Sequence, residues 1–153
     1  MLNSDYKDML QVLLENGVKF LLVGAYAMGA HGYPRSTGDI DIWVEPSPEN
    51  SRRVYHALAQ FGAPLQEVDE TTFVKEGVVY QIGVAPCRID VMSAVSGVQF
   101  HEAYQHRKVV EIEGMSIPIL SYDDLVRNKR ATGRDKDRLD ADRLEKDRPR
   151  SES

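Results

Sequence analysis

The stretch DIDIWV, residues 39–44, sets two aspartates two positions apart in a run that otherwise reads as a core strand. Residues i and i+2 of a strand point to the same face. Asp39, Asp41 and Trp43 therefore share one face, and Ile40, Ile42 and Val44 turn into the core. Holding two like charges together in a half-buried place is costly and raises one carboxyl pKa unless a cation neutralises them. A third acid, Asp90, lies between Ile89 and Val91 in CRIDVMS, residues 87–93. There Arg88, Asp90 and Met92 share a face, while Cys87 points with Ile89 toward the core. If the two strands are neighbours, three carboxylates converge. A divalent cation is the simplest neutraliser, and hard oxygen ligands favour Mg²⁺ or Mn²⁺. Such a cluster suits two-metal phosphoryl transfer. The alternative for each acid taken singly is a solvated aspartate at a strand end.

The rest of the chain supplies elements to support such a sheet. SDYKDMLQVLLENG (4–17) reads as a helix capped by Asn3 or Ser4 and ended by Gly17. VKFLLVG (18–24) is a short continuous apolar run, expected of a strand covered on both faces. AYAMGAHG (25–32) predicts a short helix opening off that strand. SPENSRRVYHALAQFG (47–62) carries Ser47 as cap, Pro48 at the first helical position and Gly62 at the end. TTFVKEG, VVYQIGV and CRIDVMS then read as strands, FHEAYQHR as one or two helical turns, and KVVEIEGMSIPIL as a strand pair turning at Gly114. SYDDLVRNKRATG predicts a late helix capped by Ser121. These elements predict an α+β fold, a mixed β-sheet flanked by helices. From Gly133 onward, charges of alternating sign dominate, with Leu139 and Leu144 as a thin apolar edge. The expectation is one domain over 1–132, then over 133–153 a solvated helix from Asp135 to Lys146 held by i,i+4 pairs, and a frayed tail.

Composition excludes several classes. At 153 residues the chain is long enough for one domain with a real core. Its net charge of −5 makes it no polycation, so any nucleic-acid contact needs a local basic patch. The single cysteine, Cys87, forbids an internal disulfide and a cysteine-cluster zinc site. No apolar run approaches the roughly 20 residues that span a bilayer, and the N-terminus lacks the basic start of a signal peptide. The expected location is the cytoplasm, with no membrane partner.

The segment before the acids, VGAYAMGAHGYPRSTGDIDI, adds a strand ending at Gly24 and a helix start, where backbone N–H groups can face a phosphate. Arg35, Ser36 and Thr37 bring a charge and two hydroxyls beside the acids. Neither the dinucleotide glycine pattern nor the Walker A lysine motif is present. Taken together, Gly24-Ala25, thirteen intervening residues, Asp39-Ile40-Asp41-Ile42 and the later Ile89-Asp90-Val91 resemble the DNA polymerase beta superfamily of nucleotidyltransferases. The stretch LSYDDLVRNKRATGRDKD, residues 120–137, is similar to the tail of small stand-alone members, including those related to abortive-infection toxins. The resemblance implies a polymerase beta palm-like fold and transfer of a nucleoside monophosphate from an NTP. It assigns both metals to Asp39 and Asp41, with Asp90 completing the site and helping to activate the acceptor hydroxyl. It also implies nucleotide contacts from Gly24, Ala25, Arg35, Ser36, Thr37 and Lys129. Ala25 departs from the family's usual Gly or Ser, which removes a phosphate-binding hydroxyl.

Other side chains have two readings each. His31 either caps a helix end or contacts phosphate. Trp43 and Tyr26 either stack on a base or seal the sheet. Lys129, Arg130, Arg134 and Lys136 either clamp a triphosphate or RNA backbone or belong to a solvated face. His56, His101 and His106 lack metal-ligand spacing. The leading expectation is a Mg²⁺-dependent nucleotidyltransferase acting on an ATP-like NTP and an acceptor hydroxyl of a small molecule, protein or tRNA. A non-catalytic nucleotide- or partner-binding module, in a toxin–antitoxin pair or with another protein partner, is the second. A metal-dependent phosphohydrolase is the third.

Overall fold

A computed structural model describes residues 2–33, 38–84 and 87–147. Its centre is β1 (Phe20–Val23), whose four residues are all buried, as a continuous apolar run requires. β1 pairs antiparallel with β2 (Ile40–Val44) and parallel with β6 (Met115–Ile119). β2 pairs parallel with β4 (Ile89–Met92), and β4 antiparallel with β3 (Val79–Ile82). β5 (Lys108–Ile112) closes the other edge by a hairpin with β6, giving the order β3-β4-β2-β1-β6-β5. That hairpin turns on Glu113 and Gly114, both at positive φ (48° and 85°), the pair of dihedrals a two-residue loop needs to match strand twist. The fold is the mixed α+β sheet that the sequence predicts.

Helices α1 (Ser4–Glu15) and α3 (Pro48–Phe61) pack on one another, and Ile40, Ile42 and Val44 are fully buried. Their caps follow the sequence. Asn3 accepts from the Asp5 N–H, Ser47 accepts from the Asn50 N–H, and Gly62 ends α3 in the left-handed conformation. On the opposite face Trp43 is buried edge-on against Phe100 of α4 (Phe100–Gln105), with ring centroids 5.1 Å apart. Trp43 therefore seals the sheet and is not available to stack on a base.

Two expectations are corrected here. TTFVKEG forms no strand but a short 3₁₀ turn over Thr72–Val74. Asp69 accepts from the Thr71 N–H and hydroxyl while its own N–H donates to Thr72 Oγ1, a side-chain closure that outcompetes strand propensity. Cys87 is exposed rather than core-facing, because it lies before the first paired residue of β4, where strand alternation does not yet hold.

The charged segment also differs from a solvated helix. α6 spans Asp135–Lys146, as its charge pattern predicts, but it packs on α5 (Tyr122–Ala131) and buries Asp137, Asp140, Ala141 and Leu144. These positions recur at i, i+3, i+4 and i+7, the inward face of a helix. Leu139, counted as part of the apolar edge, is exposed. The tail beyond residue 147 lies outside the described residues.

Candidate active site

β1 ends at Val23, and the next residue, Gly24, opens α2 (Gly24–Ala30) at a φ of +64°. Only glycine adopts this freely, and a second constraint bears on the same atom. A β-carbon on Gly24 would overlap Asp41 Oδ2. Glycine is required here so that the carboxylate can lie against the strand-to-helix turn. In register, Asp41 stands opposite Val23 on one side and Asp90 on the other. The two acids predicted from separate strands are thus direct neighbours in adjacent, parallel strands.

Asp39 lies just before β2. Its Oδ1 accepts the backbone N–H of Arg88 at 3.2 Å, and its Oδ2 is 3.2 Å from Arg88 Nη2. The same guanidinium donates from Nε to Asp90 Oδ1 at 2.8 Å and from Nη2 to Asp90 Oδ2 at 3.2 Å. Arg88 therefore ties two of the three acids together. Sequence reasoning placed it on the right face without giving it a role; the signal was the spacing of Arg88 and Asp90, i and i+2 on one strand face. Asp41 feels this arrangement most. Burial, then the charge of Asp90 and a hydrogen bond shared with it, push its carboxyl from 3.8 to about 6, with Arg88 opposing.

Asp39, Asp41 and Arg88 line a cleft of about 700 Å³, and Asp90 is buried behind them. Gly24, Ala25 and Met28 line its floor, and Lys129, Arg134, Lys136, Asp137 and Asp140 form the facing wall. α2 has only seven residues, so the phosphate-facing charge expected of its start is small beside that of this basic wall. Lys129, at 12% side-chain exposure, is held by Asp137 Oδ1 at 3.3 Å and Asp140 Oδ2 at 3.2 Å. Asp137 is buried, which disfavours its ionisation, but hydrogen bonds from Thr132, Lys129 and Arg134 and the lysine charge outweigh that and hold its carboxyl below the usual range. Arg130 points instead to Asp142 and Glu145 on the outer side of α6. A second cleft of about 240 Å³ shares Gly24, Asp41, Lys129 and Arg134 and continues past Met92 and Ser96.

His31 binds the Leu120 carbonyl through Nε2 at 2.8 Å and packs edge-on against Tyr122, which makes it a brace between the end of α2 and the start of α5. Tyr26 packs edge-on against Tyr6 of α1. Arg35, Ser36 and Thr37 lie outside the described residues. Among the described residues no group of three or more His, Cys, Asp or Glu side chains is arranged to hold a metal ion. The donor chemistry still suits a hard divalent cation: Asp39 and Asp41 line the cleft with carboxylate oxygens, and Asp41 shares a hydrogen bond with Asp90 behind them. What stands where a cation would neutralise them is Arg88. No described helix is long and apolar enough to cross a membrane.

Strand, glycine turn, Asp39 and Asp41 at the start of β2 and Asp90 on β4, all in one mixed sheet, fit a nucleotidyltransferase fold. The chain belongs to the family described as nucleotidyltransferases of unknown function (DUF6036), whose model matches residues 2–145. It is similar in fold to the Thermotoga maritima protein TM1012, which is described as a nucleotidyltransferase, with a TM-score of 0.62, 15% identity and 97% of each chain covered. Lincosamide antibiotic adenylyltransferase LnuA, solved with lincomycin bound, gives 0.60 at 12% identity, covering 95% of this chain and 97% of that one. The antibiotic-resistance factor ANT(2'')-Ia gives 0.57 at 16%, covering 92% and 80%. No curated protein matches the chain in sequence.

Proposed function

We propose that this protein transfers a nucleoside monophosphate from an NTP to an acceptor hydroxyl. The observation that carries the reading is the in-register pairing of Asp41 with Asp90 beneath the Gly24 turn, with Asp39 one strand position before Ile40. Asp39, Asp41 and Asp90 would hold Mg²⁺ or Mn²⁺. When bound, the cation supplies charge neutralisation at the triphosphate and at the reacting oxygens. The triphosphate lies in the larger cleft, where Lys129, Arg134 and Lys136 meet its charge and Gly24 permits close backbone approach. Asp137 and Asp140 act on Lys129, holding its ammonium in the cleft wall. The acceptor oxygen bonds to the α-phosphorus, the α–β bridging bond breaks, and pyrophosphate leaves. The hydroxyl proton passes to the acid cluster, where Asp41 lines the acceptor cleft with Asp90 paired beside it, and on to solvent. Catalysis here is positioning and electrostatics, with no covalent intermediate.

The smaller cleft beside Asp41 is the place for the acceptor, and its modest volume favours a small molecule, a side chain or a nucleic-acid end over a folded surface. Two proteins of similar fold are an antibiotic adenylyltransferase and an antibiotic-resistance factor, which supports including small hydroxylated molecules among the acceptors tested. Incubation with α-labelled NTPs, Mg²⁺ and cell extract tests the reading. Label should enter a small molecule, protein or tRNA, with pyrophosphate released, and Asp41→Asn should abolish it without loss of fold. Persistent labelling by that variant overturns the assignment.

Ala25 favours one other reading, a module that binds nucleotide or a protein partner without turnover, as in a toxin–antitoxin pair. Calorimetry with each NTP and Mg²⁺ separates them, since binding without pyrophosphate release under every acceptor supports the module.

A further inference from the structure

We propose that Arg88 is the resident counter-cation of the acid cluster, that a divalent ion and the NTP displace it together, and that its guanidinium then grips a phosphate oxygen. The inference rests on the nucleotidyl-transfer reading and assigns this residue a role in how the site loads. The geometry sets up a competition. Both Asp90 oxygens accept from Arg88, at 2.8 and 3.2 Å, and Asp39 Oδ2 lies 3.2 Å from the same Nη2. A cation that takes these oxygens must give the guanidinium another anion, or leave it stranded beside a second positive charge. Arg88 has room to move, because its side chain is 31% exposed and lines the larger cleft rather than the core. Its planar fork suits carboxylate and phosphate alike, so a triphosphate entering that cleft offers the partner it needs.

Cation and nucleotide are then thermodynamically coupled. The bare ion competes with Arg88 and binds poorly, whereas an ion arriving with a triphosphate binds well, because the same event re-pairs the arginine. Coupling of this kind is reciprocal. A site so built keeps Asp39 and Asp90 engaged by Arg88, and free Mg²⁺ out, until the NTP is present.

Titration of the full chain with Mn²⁺, followed by electron paramagnetic resonance with and without a non-hydrolysable α,β-methylene NTP, tests this without any turnover. In Arg88→Gln, Mn²⁺ alone should bind about tenfold tighter than in the wild type, since a charge adjacent to the ligands is gone. The nucleotide should strengthen Mn²⁺ binding in the wild type and much less in the variant. Arg88→Lys, a point charge that cannot bridge two carboxylates, should fall between them, and it carries the test if the glutamine variant does not fold. Unchanged or weaker Mn²⁺ affinity in both variants, with nucleotide binding by the wild type intact, overturns the role of Arg88 alone. Failure of the wild type to bind Mn²⁺ or nucleotide under any condition overturns this inference together with the nucleotidyl-transfer reading.

Discussion

Asp41→Asn should make the protein more stable, and only above mildly acidic pH. In the folded chain burial and the neighbouring Asp90 push the Asp41 carboxyl to about 6, whereas an unfolded chain leaves it near 3.8. Its folded-state pKa is raised, so the stability linked to its protonated form is complete below about pH 4 and lost as pH rises through about 6. At about 1.36 kcal/mol per pH unit, a displacement of this size costs roughly 3 kcal/mol by pH 8. Asparagine has the same shape, carries no charge and can still donate to Asp90. It should therefore recover about 1–3 kcal/mol at pH 8 and almost nothing at pH 4. For a chain of this size each kcal/mol moves Tm by about 2–4 °C. Urea denaturation of wild type and variant at pH 4, 6 and 8, in chelator, measures the difference free of other titrations common to both. Adding Mg²⁺ and NTP should close the gap by stabilising the wild type alone. A variant less stable than the wild type at pH 8, or a difference that does not change with pH, refutes the picture of an uncompensated acid at this position.

Gly24→Ala should destabilise by about 1–2 kcal/mol from its left-handed backbone alone, with more added by overlap with Asp41 Oδ2, and should abolish labelling; a denaturation curve and the transfer assay check both. Lys129→Met should cost about 3 kcal/mol, because it removes a cation shared by two buried carboxylates while Arg134 and Thr132 still bond Asp137. The penalty should shrink as pH falls, since the Asp137 carboxyl sits below its usual range in the fold and its ionised form carries stability that is lost on acidification. The window opens only below the unfolded value of 3.8, so denaturation at about pH 2.5 and pH 7 measures this change. Equal penalties at both pH values would assign Lys129 a packing role only.

Legibility in the sequence followed the strength of local signals. The helix caps at Asn3, Ser47 and Ser121 and the stops at Gly17 and Gly62 were readable because each is a short-range hydrogen-bonding or dihedral requirement. The acids of β2 and β4 stood out because a charge inside an apolar strand has few innocent explanations. Their adjacency was conditional on pairing, which no single strand encodes. Thr71–Val74 misled because threonine, phenylalanine and valine favour strands, while the side chain that closes the turn, Asp69, lies upstream. The inward face of α6 was hidden for a different reason. Two of its four buried positions are aspartates, so a search for apolar periodicity passes over it. Its partner, Lys129, was singled out by resemblance, yet the acids that hold it were visible only once α5 and α6 lay side by side. Arg88 was in plain view beside Asp90, but a basic residue two positions from an acid on one strand face is too common a pattern to single out.

Because the wall facing the acids is hung on Asp137 and Asp140, the order of synthesis matters. A growing polypeptide acquires its three acids by residue 90, but the opposing wall exists only after residue 140 has cleared the ribosome. On the nucleotidyl-transfer reading, a half-made chain would lack the Asp137 and Asp140 that hold Lys129, and so could not grip an NTP against its acids.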